Sequence, residues 1–196
     1  MKFYSIAAVV GILILTGIPG RADTITFEEL SDSQTVGDFY AGVVFNNAVA
    51  HTAGISLNDA EVPPHSGSNV ILNDFGPIEI DWTNAIGDFE AFFTYTAPLE
   101  IDFLFDGKEV GSETTAFNNN LALSGDAGSS PNERIAFSGH GAFNEVRIES
   151  DGAYGIDDVS FDKAQQVTPE PGTFGLIVLF FVPYAIWRVR RAAVVR

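Results

Sequence analysis

The stretch IEIDWTNAIGDFEAFFTYTAPLEIDFLF, Ile78 to Phe105, decides the fold class. Ile78, Ile80 and Trp82 fall on one face of an extended chain and Glu79 and Asp81 on the other, because strand side chains alternate. Phe89–Tyr95 is a second apolar run, and Leu99, Ile101, Phe103 and Phe105 then alternate with Glu100 and Asp102. Period-two patterning punctuated by Gly, Pro, Asn and Asp predicts antiparallel strands with one buried face. Outward from this centre the pattern repeats. Ile25/Phe27, Phe39–Phe45, Val70–Leu72, Val146/Ile148 and Ile156–Phe161 read as further short strands, and Asp106-Gly107 as a tight hairpin. No window has the period of an amphipathic helix. The expectation is an all-β domain, sandwich or barrel, over residues 23–163.

Two segments read as long loops: Asn58–Asn69, which holds Pro63-Pro64, His65 and Gly67, and Ser124–Glu133. Loops of that length in a compact domain are usually functional or mobile. There is no cysteine, which excludes disulfides and thiolate metal sites. All 26 acidic residues lie within 23–170, against Lys108, Arg134, Arg147 and Lys163, so this region carries a net charge of −22. Such a surface repels nucleic acid, whose binding depends on cationic side chains, and suits solubility and divalent cations.

The two ends differ from the centre. Lys2, the apolar Ile6–Leu15 and the small residues of Gly20-Arg21-Ala22 form the pattern of a secretory signal peptide over residues 1–22, with Asp23 as the first mature residue. After a spacer over 164–168 come Pro169-Glu170-Pro171, an apolar stretch from Phe174 to Trp187, and Arg188, Arg190 and Arg191. Fourteen apolar residues span about 21 Å as a helix, short of the ~30 Å hydrocarbon core, and Pro183 would kink them. The arginines favour a cytoplasmic C-terminus. The segment reads as a marginal, temporary membrane anchor.

This three-part layout over residues 169–196 resembles the PEP-CTERM sorting tail of Gram-negative bacteria, extended here by Ala192–Arg196. The resemblance implies an inner-membrane-anchored precursor, an exosortase-type processing enzyme as partner, and delivery to the cell surface or extracellular space of an exopolysaccharide-producing bacterium. Phe89–Phe117 and Ala153–Phe161, the latter with Asp157-Asp158 before an apolar-polar-apolar triplet, look like the jelly-roll domains often paired with this tail. Those are similar to non-catalytic carbohydrate-binding modules. The resemblance therefore implies an antiparallel jelly-roll-like sandwich between an N-terminal signal helix and a single C-terminal hydrophobic helix.

The chemistry-bearing residues are few. The chain has no Gly-x-Ser-x-Gly elbow and no His-Glu-x-x-His pair, and His51, His65 and His140 are assigned to surface or loop positions. Glycoside hydrolysis needs two carboxylates at a set separation, and no motif singles out such a pair. Phenylalanines at alternating strand positions are assigned to the core, as is Trp82 with Ile78 and Ile80. The terminal strands offer one metal hypothesis. If Val159 and Phe161 point inward, alternation turns Asp157 inward as well, while Glu29 shares the face of Ile25 and Phe27. A buried carboxylate must be protonated, paired or metal-bound, and cations are scarce. Glu29, Asp157 and Asp158, with Glu28, are therefore candidate ligands of a structural Ca²⁺, which takes 6–8 oxygens; the alternative is that these acids sit in water at frayed strand ends. The reading is an exported, non-enzymatic envelope or matrix protein associated with exopolysaccharide. A polysaccharide hydrolase and a passive structural or adhesive protein are the alternatives.

Overall fold

The computed structural model of the protein describes residues 22–74 and 76–163. The expected tail with its Pro-Glu-Pro motif and arginines, the spacer, and all of the signal segment except Ala22 lie outside these residues.

Ten strands follow one another: β1 (Asp23–Ile25), β2 (Thr35–Gly37), β3 (Val43–Thr52), β4 (Asn69–Asn73), β5 (Ile78–Tyr95), β6 (Glu100–Phe105), β7 (Lys108–Thr114), β8 (Glu133–Phe137), β9 (Phe143–Glu149) and β10 (Tyr154–Lys163). Every pairing between them is antiparallel. The all-β fold expected from the alternating runs is what forms, and it takes the antiparallel, jelly-roll-like sandwich arrangement that the resemblance implied.

β5 organises it. Its first half pairs with β3 and β9, and its second half with β8 and β10. Between them, Asp81 to Ile86 spans five residue steps on β5 against two on β9, from Glu145 to Phe143. That irregularity carries β5 from one layer into the other, as bulges do at sheet corners. β4 bridges the layers a second time by pairing with both β3 and β10. The alternating residues of Ile78–Phe105 line one continuous core: Ile78, Ile80, Trp82, Phe89, Phe93, Ile101 and Phe103 are all buried. Phe103 and Phe137 stack with centroids 3.9 Å apart, and Phe143 meets both edge-on. Full burial of one such side chain is worth about 1.5–3 kcal/mol.

The hairpin at Asp106-Gly107 forms as read, with φ of 50° and 74°, the two positive values that a type I′ turn requires. Two strand readings change. Phe39–Phe45 does not form one strand: Gly37 (φ 51°) and Gly42 (φ 82°) bracket a turn, which leaves Phe39 about half exposed, and β3 begins at Val43. β1 ends at Ile25, and Phe27 enters the core from a positive φ of 62° against Phe45. The stretch over 108–114 pairs with β6, and β8 emerges where the Ser124–Glu133 loop was expected to end.

Candidate functional site

A dense polar cluster lies where β10 passes beneath the Asn58–Asn69 loop. Opposite β5, the pairs run Ile156–Phe93, Asp157–Phe92, Ser160–Glu90 and Phe161–Phe89. Three steps on β10 thus match two on β5 between Asp157 and Ser160, a bulge in which Asp158 takes a φ of 49°. Aspartate tolerates that left-handed region better than most residues. Cross-strand partners share a face, so Asp157 lies with Phe92 on the outer face while Val159 and Phe161 stay in the core. Simple alternation had turned Asp157 inward; the extra residue reverses it.

Asp157 is nonetheless 1% exposed, because the loop closes over it. Its Oδ2 accepts the backbone N–H of His65 at 2.7 Å and of Ser66 at 3.0 Å, and its Oδ1 that of Asp158 at 2.8 Å. Asp158 takes the matching side chains: Ser66 Oγ donates to Oδ1 at 2.7 Å, and His65 Nδ1 lies 2.6 Å from Oδ2. The His65 ring stacks on Phe92 with centroids 3.5 Å apart. Burial pushes the Asp157 carboxyl up to about 6, with the neighbouring Asp158 charge adding to it, against the downward pull of the amide donors.

The same loop is held at two further points. Glu28 accepts the N–H groups of Ser68 and Asn69 at 2.9 and 2.8 Å, and a Cβ on Gly67 (φ 57°) would collide with that carboxylate. Glu61 accepts those of Leu123 and Ser124 at 2.9 and 3.2 Å, which hold it below the usual carboxylate range. With so few cations available, acids from the buried Asp157 to the exposed Glu28 find partners in backbone amides. Charge-assisted bonds of this kind are stronger than neutral ones.

His65, Ser66 and Asp158 have the composition of a nucleophilic relay but not its wiring. Serine and histidine both bond to Asp158, on different oxygens, whereas activation needs the base to bond the nucleophile. The cluster fastens a loop.

The candidate calcium ligands divide between three places. Asp157 and Asp158 are adjacent, Glu28 serves Ser68 and Asn69, and Glu29 accepts from the Tyr40 hydroxyl at 3.3 Å. The lone pairs of Asp157 point at N–H donors, and a cation there would have to displace them. Among the described residues no group of three or more histidine and carboxylate side chains is arranged to hold a metal ion. The histidines also separate: His51, within β3, bonds Ser56 Oγ at 2.8 Å, and His140 stacks on Phe137.

Two cavities lie among the described residues. One of about 420 Å³ is lined by Asn73, Pro77, Pro98 and three acids, Glu100, Glu149 and Asp151. A smaller one of about 120 Å³ opens at the bend of β5 and is lined in part by Trp82. Trp82 is core as read, 6% exposed, but its Nε1–H is buried without an acceptor among the described residues. An unmet buried donor costs about 1–3 kcal/mol. Sequence offered no sign of this, since alternation places a side chain without showing where its one polar atom ends.

No protein-family model and no curated protein matches the sequence. Among solved structures, the chain is similar to the K2 cleaved adhesin domain of Lys-gingipain, at 13% identity over 72% of this chain and 99% of that one, with a TM-score of 0.45. It is similar to CBM35 from Paenibacillus barcinonensis at 18% identity over 72% and 99%, with a TM-score of 0.39. It also resembles part of the catalytic unit of a GH87 α-1,3-glucanase from Streptomyces thermodiastaticus strain HF3-3, at 11% identity over 62% and 26%, with a TM-score of 0.36. At these identities and scores no residue role or ligand transfers from them.

Proposed function

We propose that this chain is an exported, non-enzymatic component of the envelope or extracellular matrix of a Gram-negative bacterium. It is held at the inner membrane by its C-terminal segment until an exosortase-type enzyme processes the tail, and it associates with exopolysaccharide. The observation that carries the reading is the strict order of Pro169-Glu170-Pro171, an apolar segment too short for comfortable spanning, and Arg188, Arg190 and Arg191. The folded domain is compatible with life outside the cell: it has no cysteine, and one continuous aromatic core supports it.

A binding role is preferred over hydrolysis because the convergent polar groups are already committed to one another. Asp157 and Asp158 are saturated by His65 and Ser66, which leaves neither a free nucleophile nor a free base at that cluster. The acidic cavity at Glu100, Glu149 and Asp151 is the observation that favours the hydrolase alternative.

The test is retention of the purified protein on the host's own exopolysaccharide, with reducing ends assayed in parallel. Retention without new reducing ends is expected. Release of reducing ends that stops in Glu149→Gln identifies a hydrolase, and neither retention nor hydrolysis identifies a passive structural protein.

A further inference from the structure

The connections β4–β5, β5–β6 and β9–β10 meet around the larger cavity, of about 420 Å³. Asn47 Nδ2 donates to Pro77 O at 2.9 Å, and Thr96 N and Oγ1 both donate to Ala153 O at 3.0 Å. Ser150 Oγ donates to Ala97 O at 3.2 Å, and a Cβ on Gly152 would collide with Thr96 and Ala97. The walls are therefore fixed before any ligand arrives, as in most small-molecule sites, whose volumes run from about 300 to 1,000 Å³. Glu100 and Glu149 stand directly opposite one another on β6 and β9, and Asp151 joins them in the lining. Like charges directly opposite cost stability. Arg147 reaches Glu149, but among the described residues no cation pairs with Glu100 or Asp151.

The occupant is constrained by charge and by spacing. A single metal ion does not fit, because no three acids among the described residues are arranged to hold one. A uronate would meet three like charges, and a neutral ligand would leave them uncompensated. A lysine side chain is one ammonium on a flexible stem, which answers one carboxylate of the three. A ring that carries one ammonium and several hydroxyls spreads donors to all of them and offers C–H surface to Pro77 and Pro98. Asn73 Oδ1 already accepts from Tyr154 N at 3.1 Å, which fixes the amide and leaves its two N–H donors for hydroxyl oxygens. We propose that the cavity is a subsite for one amino-sugar unit with a free, protonated amine, the ammonium lying between Glu100 and Glu149 and the hydroxyls toward Asp151 and Asn73. Charge-assisted hydrogen bonds of this kind are the strong ones. The volume equals the liquid share of roughly fourteen waters, which takes one pyranose and part of its hydration and leaves neighbouring units of a glycan outside. This assignment rests on the glycan-association reading and adds its location and charge class.

The full chain, in a detergent without a sugar headgroup, is titrated by calorimetry at about pH 6, where such an amine is protonated. The probes are trimers of glucosamine, N-acetylglucosamine and galacturonic acid, and trilysine, at ~0.15 M salt to screen long-range attraction. Saturable binding of the glucosamine trimer, at least tenfold tighter than any other probe, is expected. Glu100→Gln and Asp151→Asn should each weaken it severalfold. Glu109→Gln, which removes the same charge from β7 outside the cavity, should leave it unchanged. Glu100→Gln also relieves the repulsion from Glu149, so its melting temperature should not fall. Equal weakening by Glu109→Gln would trace the binding to net charge alone and overturn the subsite. So would unchanged affinity in Glu100→Gln and Asp151→Asn, binding of trilysine or another trimer as tight as that of glucosamine, or no binding at all. If one of the two cavity variants does not fold, the other decides. Exopolysaccharide retention without discrimination among the trimers removes the subsite and leaves the broader reading standing, whereas no retention of the unaltered protein removes both.

Discussion

On the outer face of β5, β9 and β6, Asp81 lies opposite Glu145 and Glu100 opposite Glu149, and Arg147 reaches Glu79 and Glu149. On the outer face of β10, β5 and β8, Asp157 and Asp158 lie beneath a loop, and their oxygens are occupied by its amides and side chains. The residue types are the same and the outcomes differ. Glu145 is pushed above the usual carboxylate range by partial burial and then by the charges of Asp81 and Glu79. Asp157 is pushed up by burial and then by the Asp158 charge, yet it holds the loop through the amides of His65 and Ser66. An acid-rich surface can therefore be either a source of self-repulsion or a set of anchors for backbone, depending on whether N–H donors are brought to it.

The largest expected effect removes an anchor. Asp157→Ala strips the acceptor from three amides, at about 1–3 kcal/mol for each one left unmet. A loss of about 3 kcal/mol or more should lower the melting temperature by roughly 6–12 °C at ~2–4 °C per kcal/mol for a chain of this size. Hydrogen exchange at His65 and Ser66 should rise well above that of the strands. A loss below about 1 kcal/mol, with slow exchange retained, would mean that the loop is held by something else.

Next comes a pH effect of opposite sign to ordinary acid denaturation. Asp157 has a folded value of about 6, above its usual 3.8, so it favours the folded state fully below pH ~4 and loses that contribution as pH rises through ~6. Two units correspond to up to about 3 kcal/mol. Asp32, Glu61 and Glu90 are held low by their hydrogen bonds and work the other way, their contribution being lost as pH falls. The difference between the unaltered protein and Asp157→Asn isolates the first term. The stability advantage over the variant should shrink from pH 4.5 to 7.5, and a growing advantage would reverse the assignment.

The smallest effect belongs to the open face. Glu145→Gln removes one like charge opposite Asp81 and should stabilise the protein at pH 7 by a few tenths to about 0.5 kcal/mol, the scale of cross-strand charge pairs. High salt should abolish the gain, since exposed charges are screened. Destabilisation instead would show that Glu145 serves a contact of its own.

This contrast was only partly legible in the sequence. Ile78–Phe105 announces its strands because hydrophobic alternation and the sheet pleat share a period, and Phe, Ile and Trp82 take the core positions that period assigns. Asp157 draws attention in the sequence as an acid that burial would oblige to find partners, and it has them. Its side of the sheet was not readable, because one inserted residue at a bulge reverses every parity argument beyond it. That the partners would be amides of the Asn58–Asn69 loop depends on a contact across 92 residues of chain, which no local pattern encodes. Phe39 shows a different limit. Apolar composition suggested strand, while Gly37 and Gly42 with positive φ made a turn. Here the glycines were the better guide.

Export and tail processing are tested most directly by the intact mass of the protein recovered from the extracellular fraction of a host that makes the matching exosortase-type enzyme. Recovery of a species that begins at Asp23 and ends at or near Pro169-Glu170-Pro171, without Trp187–Arg196, is the predicted result. Recovery of the chain intact through Arg196 from that fraction would contradict it.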